Sequence, residues 1–137
     1  MPARTVATCM TRSPVTVDRS TTMAQALKIM EEHGFRHLPV VDEGRLVGLV
    51  SERNLRVVEN MRGIDSAFCT VGDFILEAPY SVAPDAPVRE VARQMSVRKC
   101  GSAAVVDGEQ VVGVFTTTDA LAVLADVLDE QDRAAGS

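Results

Sequence analysis

The chain has no tryptophan, one tyrosine and four phenylalanines in 137 residues, so aromatic stacking platforms are scarce. Its three cysteines, Cys9, Cys69 and Cys100, are odd in number and far apart, and no Cys-x-x-Cys occurs. That pattern indicates neither a disulfide framework nor a zinc knuckle. The thiols read as reduced, small apolar packing groups of a cytoplasmic protein. No apolar run reaches the roughly 18 residues of a membrane-spanning helix. Met1-Pro2-Ala3-Arg4 leads into no apolar stretch of a secretory signal. Basic residues are in deficit, 14 against 19 acidic ones for a net charge of −5, which argues against a nucleic-acid binder. Catalytic signatures are missing too. There is no Gly-x-Ser-x-Gly elbow, no phosphate loop ending in Gly-Lys-Ser/Thr, and no nucleophile paired with a base. The two histidines, His33 and His37, are interrupted by Gly34 and do not share a helical face, so no metal site is expected.

What is present is a core's worth of apolar residues, 46% of the chain, arranged as an internal repeat. Shifting the sequence by 65 positions places Thr5 on Thr70, Val6 on Val71, Pro14 on Pro79, Val17 on Val82 and Met30 on Met95. Val40-Val41-Asp42 falls on Val105-Val106-Asp107, and Val47-Gly48 on Val112-Gly113, without a gap. Thr16 with Ser81, Ser51 with Thr116 and Asn54 with Asp119 continue the register. Self-similarity at one fixed period marks a duplicated supersecondary unit.

Each copy reads as β-α-β-β-α after a short helical turn, Val6 to Met10 or Val71 to Ile75. In the first copy Val15 to Val17 is a strand, and a helix runs from about Thr22 to Glu32. Met23, Ala26, Leu27 and Met30 recur at helical spacing, Thr22 with Gln25 resembles a capping box, and Gly34 is a stop. Leu38 to Val41 and Leu46 to Val50 form a hairpin around Gly44, and a helix starts near Glu52. The second copy repeats the order: a strand at Tyr80 to Val82, then a helix from about Ala86 to Val97 with Asp85 as N-cap and Pro87 in its first turn. Strands at Ala103 to Val106 and Val111 to Phe115 follow, and a last helix runs from about Asp119 to Leu128.

The fold class is therefore α+β, two repeats over residues 5–60 and 70–128, with a connector at 61–69 and an acidic C-terminal tail at 129–137. Halves of this size barely bury a core alone, so the two are expected to pack about a pseudo-two-fold axis with a cleft between them. From Asp126 onward there are four acids and one arginine, a net of −3 that reads as a solvated, frayed terminus. The last helix is apolar nearly all round, through Ala120, Leu121, Val123, Leu124, Val127 and Leu128. Such a helix needs cover on more than one side, which predicts a homodimer.

The runs Cys9-Met10-Thr11-Arg12-Ser13-Pro14-Val15-Thr16-Val17, Gly34-Phe35-Arg36-His37-Leu38-Pro39-Val40-Val41-Asp42 and Gly48-Leu49-Val50-Ser51-Glu52-Arg53 resemble a CBS domain. Val105-Val106-Asp107 and Gly113-Val114-Phe115-Thr116-Thr117-Thr118-Asp119 resemble a second one. The resemblance spans about Thr5 to Leu124 and implies a stand-alone CBS pair. It implies a regulatory module, without catalysis or a required cofactor, that binds AMP, ADP or ATP and in some members S-adenosylmethionine. It also implies dimers in which two pairs form a disc, acting on a regulated partner protein. The competing reading is a dimerising interaction scaffold that binds no nucleotide.

Thr116, Thr117, Thr118 and Asp119 sit where a strand meets a helix N-terminus. Free amide N–H groups there favour a phosphate, and a carboxylate can accept two ribose hydroxyls. Thr116 to Asp119 match the family's ribose pattern of Ser/Thr, two residues, then Asp; the alternative is that these side chains only cap the helix. In the first copy Ser51-Glu52-Arg53-Asn54 carries Asn instead of Asp, so hydrogen bonding survives without charge assistance. That site is weaker, empty, or a source of a cation. Arg36, His37 and Arg53 form a candidate phosphate-facing cluster, with Arg98 and Lys99 the lesser equivalents. The small residues Cys100, Gly101, Ser102 and Ala103 leave room for a flat base. By the resemblance, Tyr80 and Ser81 line the second pocket, and Ser13, Val15 and Thr16 the first.

Overall fold

The computed structural model describes residues 4–12, 15–75 and 78–136. Val6–Cys9 is α1, Thr11–Arg12 β1, Val17–Asp18 β2, Met23–His33 α2, His37–Asp42 β3, Arg45–Ser51 β4 and Glu52–Glu59 α3. A 3-10 turn follows at Val71–Phe74. Ser81–Val82 is β5, Val88–Arg98 α4, Ser102–Asp107 β6, Gln110–Thr116 β7 and Thr117–Ala135 α5. The chain divides into two compact units.

The first unit holds the three-stranded sheet β2-β3-β4, with β2 parallel and β4 antiparallel to β3. The amphipathic α2 forms because the Thr22 hydroxyl accepts from the Gln25 N–H while the Gln25 side chain accepts from the Thr22 N–H. Both are amides the first helical turn leaves without partners. Gly34 ends the helix at φ +70°, a left-handed conformation that glycine takes without strain. Met23, Ala26, Leu27 and Met30 face Leu38, Val40, Val50 and Leu55 in the core.

The second unit holds the four-stranded sheet β1-β7-β6-β5 over α4 and α5. Val6, Val91, Ala103, Val105 and Phe115 are wholly or almost wholly buried there.

Neither unit is a contiguous stretch of sequence. Val71, in the turn that precedes the second copy, is buried in the first unit's core. There the Met23 N–H donates to Cys69 O at 2.9 Å, Val71 N–H to Thr21 O at 2.8 Å and Gly72 N–H to Arg19 O at 3.0 Å. Val6, in the turn that precedes the first copy, is buried in the second unit's core. There Val88 N–H donates to Arg4 O, Val6 N–H to Ala86 O and Ala7 N–H to Pro84 O, at 2.9, 2.9 and 3.0 Å. The three bonds of one unit are the three of the other shifted by one repeat. Each turn fully buries a single valine, too little to form a core locally, and satisfies its amides against the chain entering the helix of the other copy.

That exchange alters two expected elements. Asp85 does not cap α4; the helix begins at Val88 after Pro87, which is extended and bridged to Thr5. Its first amide is already satisfied by Arg4. The first strand is Val17–Asp18 rather than Val15 to Val17, in register with Val40 and Val41.

The last helix starts two residues earlier than its apolar pattern indicates and continues to Ala135, through the segment read as a frayed tail. Asp129 to Ala135 contain good helix formers and no glycine or proline, and Arg4 pairs with Glu130. Ala120 and Val123 pack on the core, while Leu121, Leu124 and Leu128 stay about half exposed.

Candidate functional site

In the second unit the junction of β7 and α5 gathers the residues with binding chemistry. Thr116 is the N-cap: its hydroxyl accepts from the Asp119 N–H at 3.3 Å and donates to Asp119 Oδ2 at 3.1 Å. The Thr116 N–H donates to the same Oδ2 at 2.9 Å. Asp119 therefore sits in the third helical position, its carboxylate clamped against the strand end. The pair caps the helix, and capping fixes the carboxylate. The Thr117 N–H and hydroxyl both donate to Gly101 O, at 3.0 and 3.1 Å, tying β6's start to the helix.

The Thr11 hydroxyl donates to Asp119 Oδ1 at 3.1 Å, with Oδ2 at 3.4 Å. Sequence reasoning missed Thr11 as a site residue. Its position among the family-like residues was visible, but 108 positions separate it from Asp119. Only the pairing of β1 with β7, Thr11 opposite Val114, brings the two together.

The remaining residues of this unit divide. The Tyr80 ring is half buried with the Arg98 guanidinium 4.4 Å over its centroid, so the arginine read as a lesser phosphate ligand is stacked on the tyrosine read as a base platform. Tyr80 O accepts from Ala104 N–H at 2.9 Å, and Ser81 is exposed opposite Ala104. Gly101 is exposed, Ser102 opens β6, and Cys100 packs half buried on the core. Ala103 is fully buried in that core, so its side chain serves packing.

In the first unit Ser51 caps α3, accepting from the Asn54 N–H at 3.1 Å. His37 is paired with Ser51 across the β3–β4 ladder, and Glu52 N–H donates to Arg36 O at 2.9 Å. That bond is the equivalent of Thr117 to Gly101. Arg36 and Arg53 are exposed, and Thr16 is exposed ahead of β2. Ser13 lies outside the described residues. Here the copies differ: the Asn54 side chain has no hydrogen-bond partner among the described residues. A hollow of about 420 Å³ opens beside it, lined mainly by aliphatic side chains and Phe74, with Asn54 and Asp73 its polar members.

The family model for the CBS domain matches the chain twice, at residues 4–59 and 71–126. This chain belongs to the CBS-domain family. A CBS domain-containing protein of Dictyostelium discoideum is 29% identical over 136 residues, covering 88% of this chain and 90% of that protein. The chain spans 41% and 13% of two longer relatives from Methanocaldococcus jannaschii and Geobacter sulfurreducens. Among solved structures, an acetoin utilization protein (AcuB) of Vibrio cholerae is 31% identical, with a TM-score of 0.75 over 96% of this chain and 98% of that one. The CBS domain pair of protein MJ0100, crystallised with 5′-methylthioadenosine and S-adenosyl-L-methionine, is 27% identical with a TM-score of 0.79 over 91% and 98%. The CBS protein CBSX2, crystallised with AMP, is 26% identical with a TM-score of 0.71 over 90% and 97%. The two-copy α+β architecture is thus that of CBS pairs, and CBS pairs similar to this one hold adenosine-containing ligands.

Proposed function

We propose that this protein is a non-catalytic regulatory module that binds an adenosine-containing ligand, AMP, ADP or ATP, at the Thr116–Asp119 junction. The observation that carries the reading is the Asp119 carboxylate. One oxygen is held by two groups of Thr116, while the other accepts, among the described residues, only the Thr11 hydroxyl. An oxygen so held is positioned for a ribose hydroxyl and keeps lone-pair capacity for it. The adenosine ligands of two similar CBS pairs support the same chemistry. Thr118 adds a hydroxyl donor at a helix N-terminus, where a phosphate is favoured, while the Thr117 hydroxyl is already given to Gly101 O.

The partial exposure of Leu121, Leu124 and Leu128 along α5 supports a homodimer through that face. Three unpaired, half-buried cysteines suit a cytoplasmic location. Ligand binding would act by favouring one of two arrangements of the module, which a partner protein reads.

The test is the change in melting temperature with AMP, ADP, ATP and S-adenosylmethionine, for wild type and Asp119→Ala. Specific binding raises the melting temperature by mass action, and Asp119→Ala is expected to remove most of the rise. Absence of any shift with millimolar adenosyl compounds would favour the interaction scaffold instead.

A further inference from the structure

Arg98 is the last residue of α4, and its guanidinium carbon lies 4.4 Å over the centroid of the Tyr80 ring. Its Nε–H also donates to Gln94 Oε1, at a long 3.5 Å. Arg98 is exposed, and Tyr80 is half buried against the second unit's core. The first copy does not repeat the contact. One repeat earlier, the positions of Arg98 and Tyr80 hold His33 and Val15. Val15 has no ring to offer, and His33 stacks instead on Phe35, with 5.4 Å between ring centroids.

The place of the tyrosine gives the contact a consequence for binding. Ser81 pairs with Ala104, so Tyr80 stands at the end of the sheet where β6 starts. The Thr117 N–H donates to Gly101 O and ties the start of α5, with Asp119, to that same end. The second unit contains two aromatic residues, Tyr80 and Phe115, and Phe115 is fully buried. Tyr80 is therefore the ring this unit can offer to a flat base. A guanidinium over a ring and a purine stacked on it use the same π face, so one excludes the other. An exposed cation holds a ring more weakly than a base stacks on one. The base wins the exchange but loses part of its own gain.

We propose that Arg98 is an intramolecular competitor for the adenine base. It covers Tyr80 in the free protein and leaves the ring when the ligand binds. This rests on the adenosyl-binding reading above and adds a residue that lowers the affinity of that site. A sugar phosphate without a base has nothing to exchange for the cation and leaves the stack in place.

The experiment follows the Arg98 δ-methylene protons by NMR and measures AMP affinity by calorimetry. In free wild-type protein the Tyr80 ring current is expected to hold those protons upfield. AMP is expected to release them over the concentration range in which it binds, while ribose 5-phosphate does not. Arg98→Gln places a good helix former at an exposed position. It is expected to bind AMP about threefold more tightly than wild type, the worth of an exposed cation–ring contact. In a Tyr80→Leu background the same substitution should change the affinity no further, because the contested ring is gone.

Free-state protons at ordinary shifts overturn the proposal, as does AMP that binds and leaves them upfield. An Arg98→Gln affinity equal to or below that of wild type overturns it too, and so does a threefold gain that persists without the ring. In all four cases the adenosyl reading survives. AMP that binds neither wild type nor Arg98→Gln removes the proposal together with AMP as the ligand. The first measurements need only wild type and the exposed-site variant, so they decide the matter even where Tyr80→Leu does not fold.

Discussion

The Thr11 hydroxyl donates to Asp119 across 108 positions of sequence, and this bond joins the start of the chain to the acid that opens its last helix. Removing the hydroxyl should leave the carboxylate less well placed without abolishing it. Thr11→Val is expected to weaken AMP binding about fivefold, the effect of roughly 1 kcal/mol for one side-chain hydrogen bond. Isothermal calorimetry beside Asp119→Ala, which should lose binding altogether, measures it. Equal affinity of Thr11→Val and wild type would show that the contact is only structural.

Gly48 and Gly113 are equivalent positions that each seat a residue of an exchanged segment. An added methyl at Gly48 would lie 2.5 Å from the Ile75 side chain. At Gly113 it would lie 2.5 Å from Met10 and 2.8 Å from the Thr11 carbonyl. A side chain can turn away more easily than a paired strand can. Gly48→Ala is thus expected to cost about 1 kcal/mol and Gly113→Ala more, toward about 3 kcal/mol. Urea denaturation compares the two, and equal costs would contradict this account.

Lys99 ends α4 in the left-handed region at φ +57°, where its counterpart Gly34 ends α2 at φ +70°. A residue with a β-carbon pays about 1–2 kcal/mol for that conformation, and glycine gives back part through its unfolded-state freedom. Lys99→Gly is expected to stabilise the protein by roughly 0.5 kcal/mol, seen as a raised midpoint in urea. Gly34→Ala should move the midpoint the other way.

Asp18 accepts hydrogen bonds from the Ser20 N–H and hydroxyl, both at 2.9 Å, and the backbone bond is the larger cause of a carboxyl held below the ordinary aspartate range. A lowered folded value means that the group's contribution to stability is present above its unfolded value. It is lost as pH falls through the folded one. NMR titration should find Asp18 titrating low, and Ser20→Ala should raise it only part of the way, since the backbone bond remains. Full return to the ordinary value would assign the shift to the hydroxyl instead.

Leu121, Leu124 and Leu128 leave an apolar stripe on α5 at 58, 51 and 49% exposure. With this face in a dimer, Leu124→Glu should dissociate the wild-type dimer at micromolar concentration in light scattering, because a charge desolvated in an apolar interface has no partner. A wild-type monomer would refute the assembly.

The periodicity of the sequence determined the repeat, the order of its elements and the residue types of the candidate junction. These depend on patterns within a few turns or strands: Thr22 and Gln25 make the capping box they promise, and Gly34 stops the helix it follows. The tertiary structure alone decided which core Val6 and Val71 enter, that Pro87 rather than Asp85 precedes α4, and that Thr11 meets Asp119. A four-residue turn with one buried valine fits either copy's core equally well by pattern. Its choice is made by backbone bonds and buried area contributed from far along the chain. The hollow beside Asn54 has the same origin, being the space left by side chains from three separate segments rather than a property of any one of them.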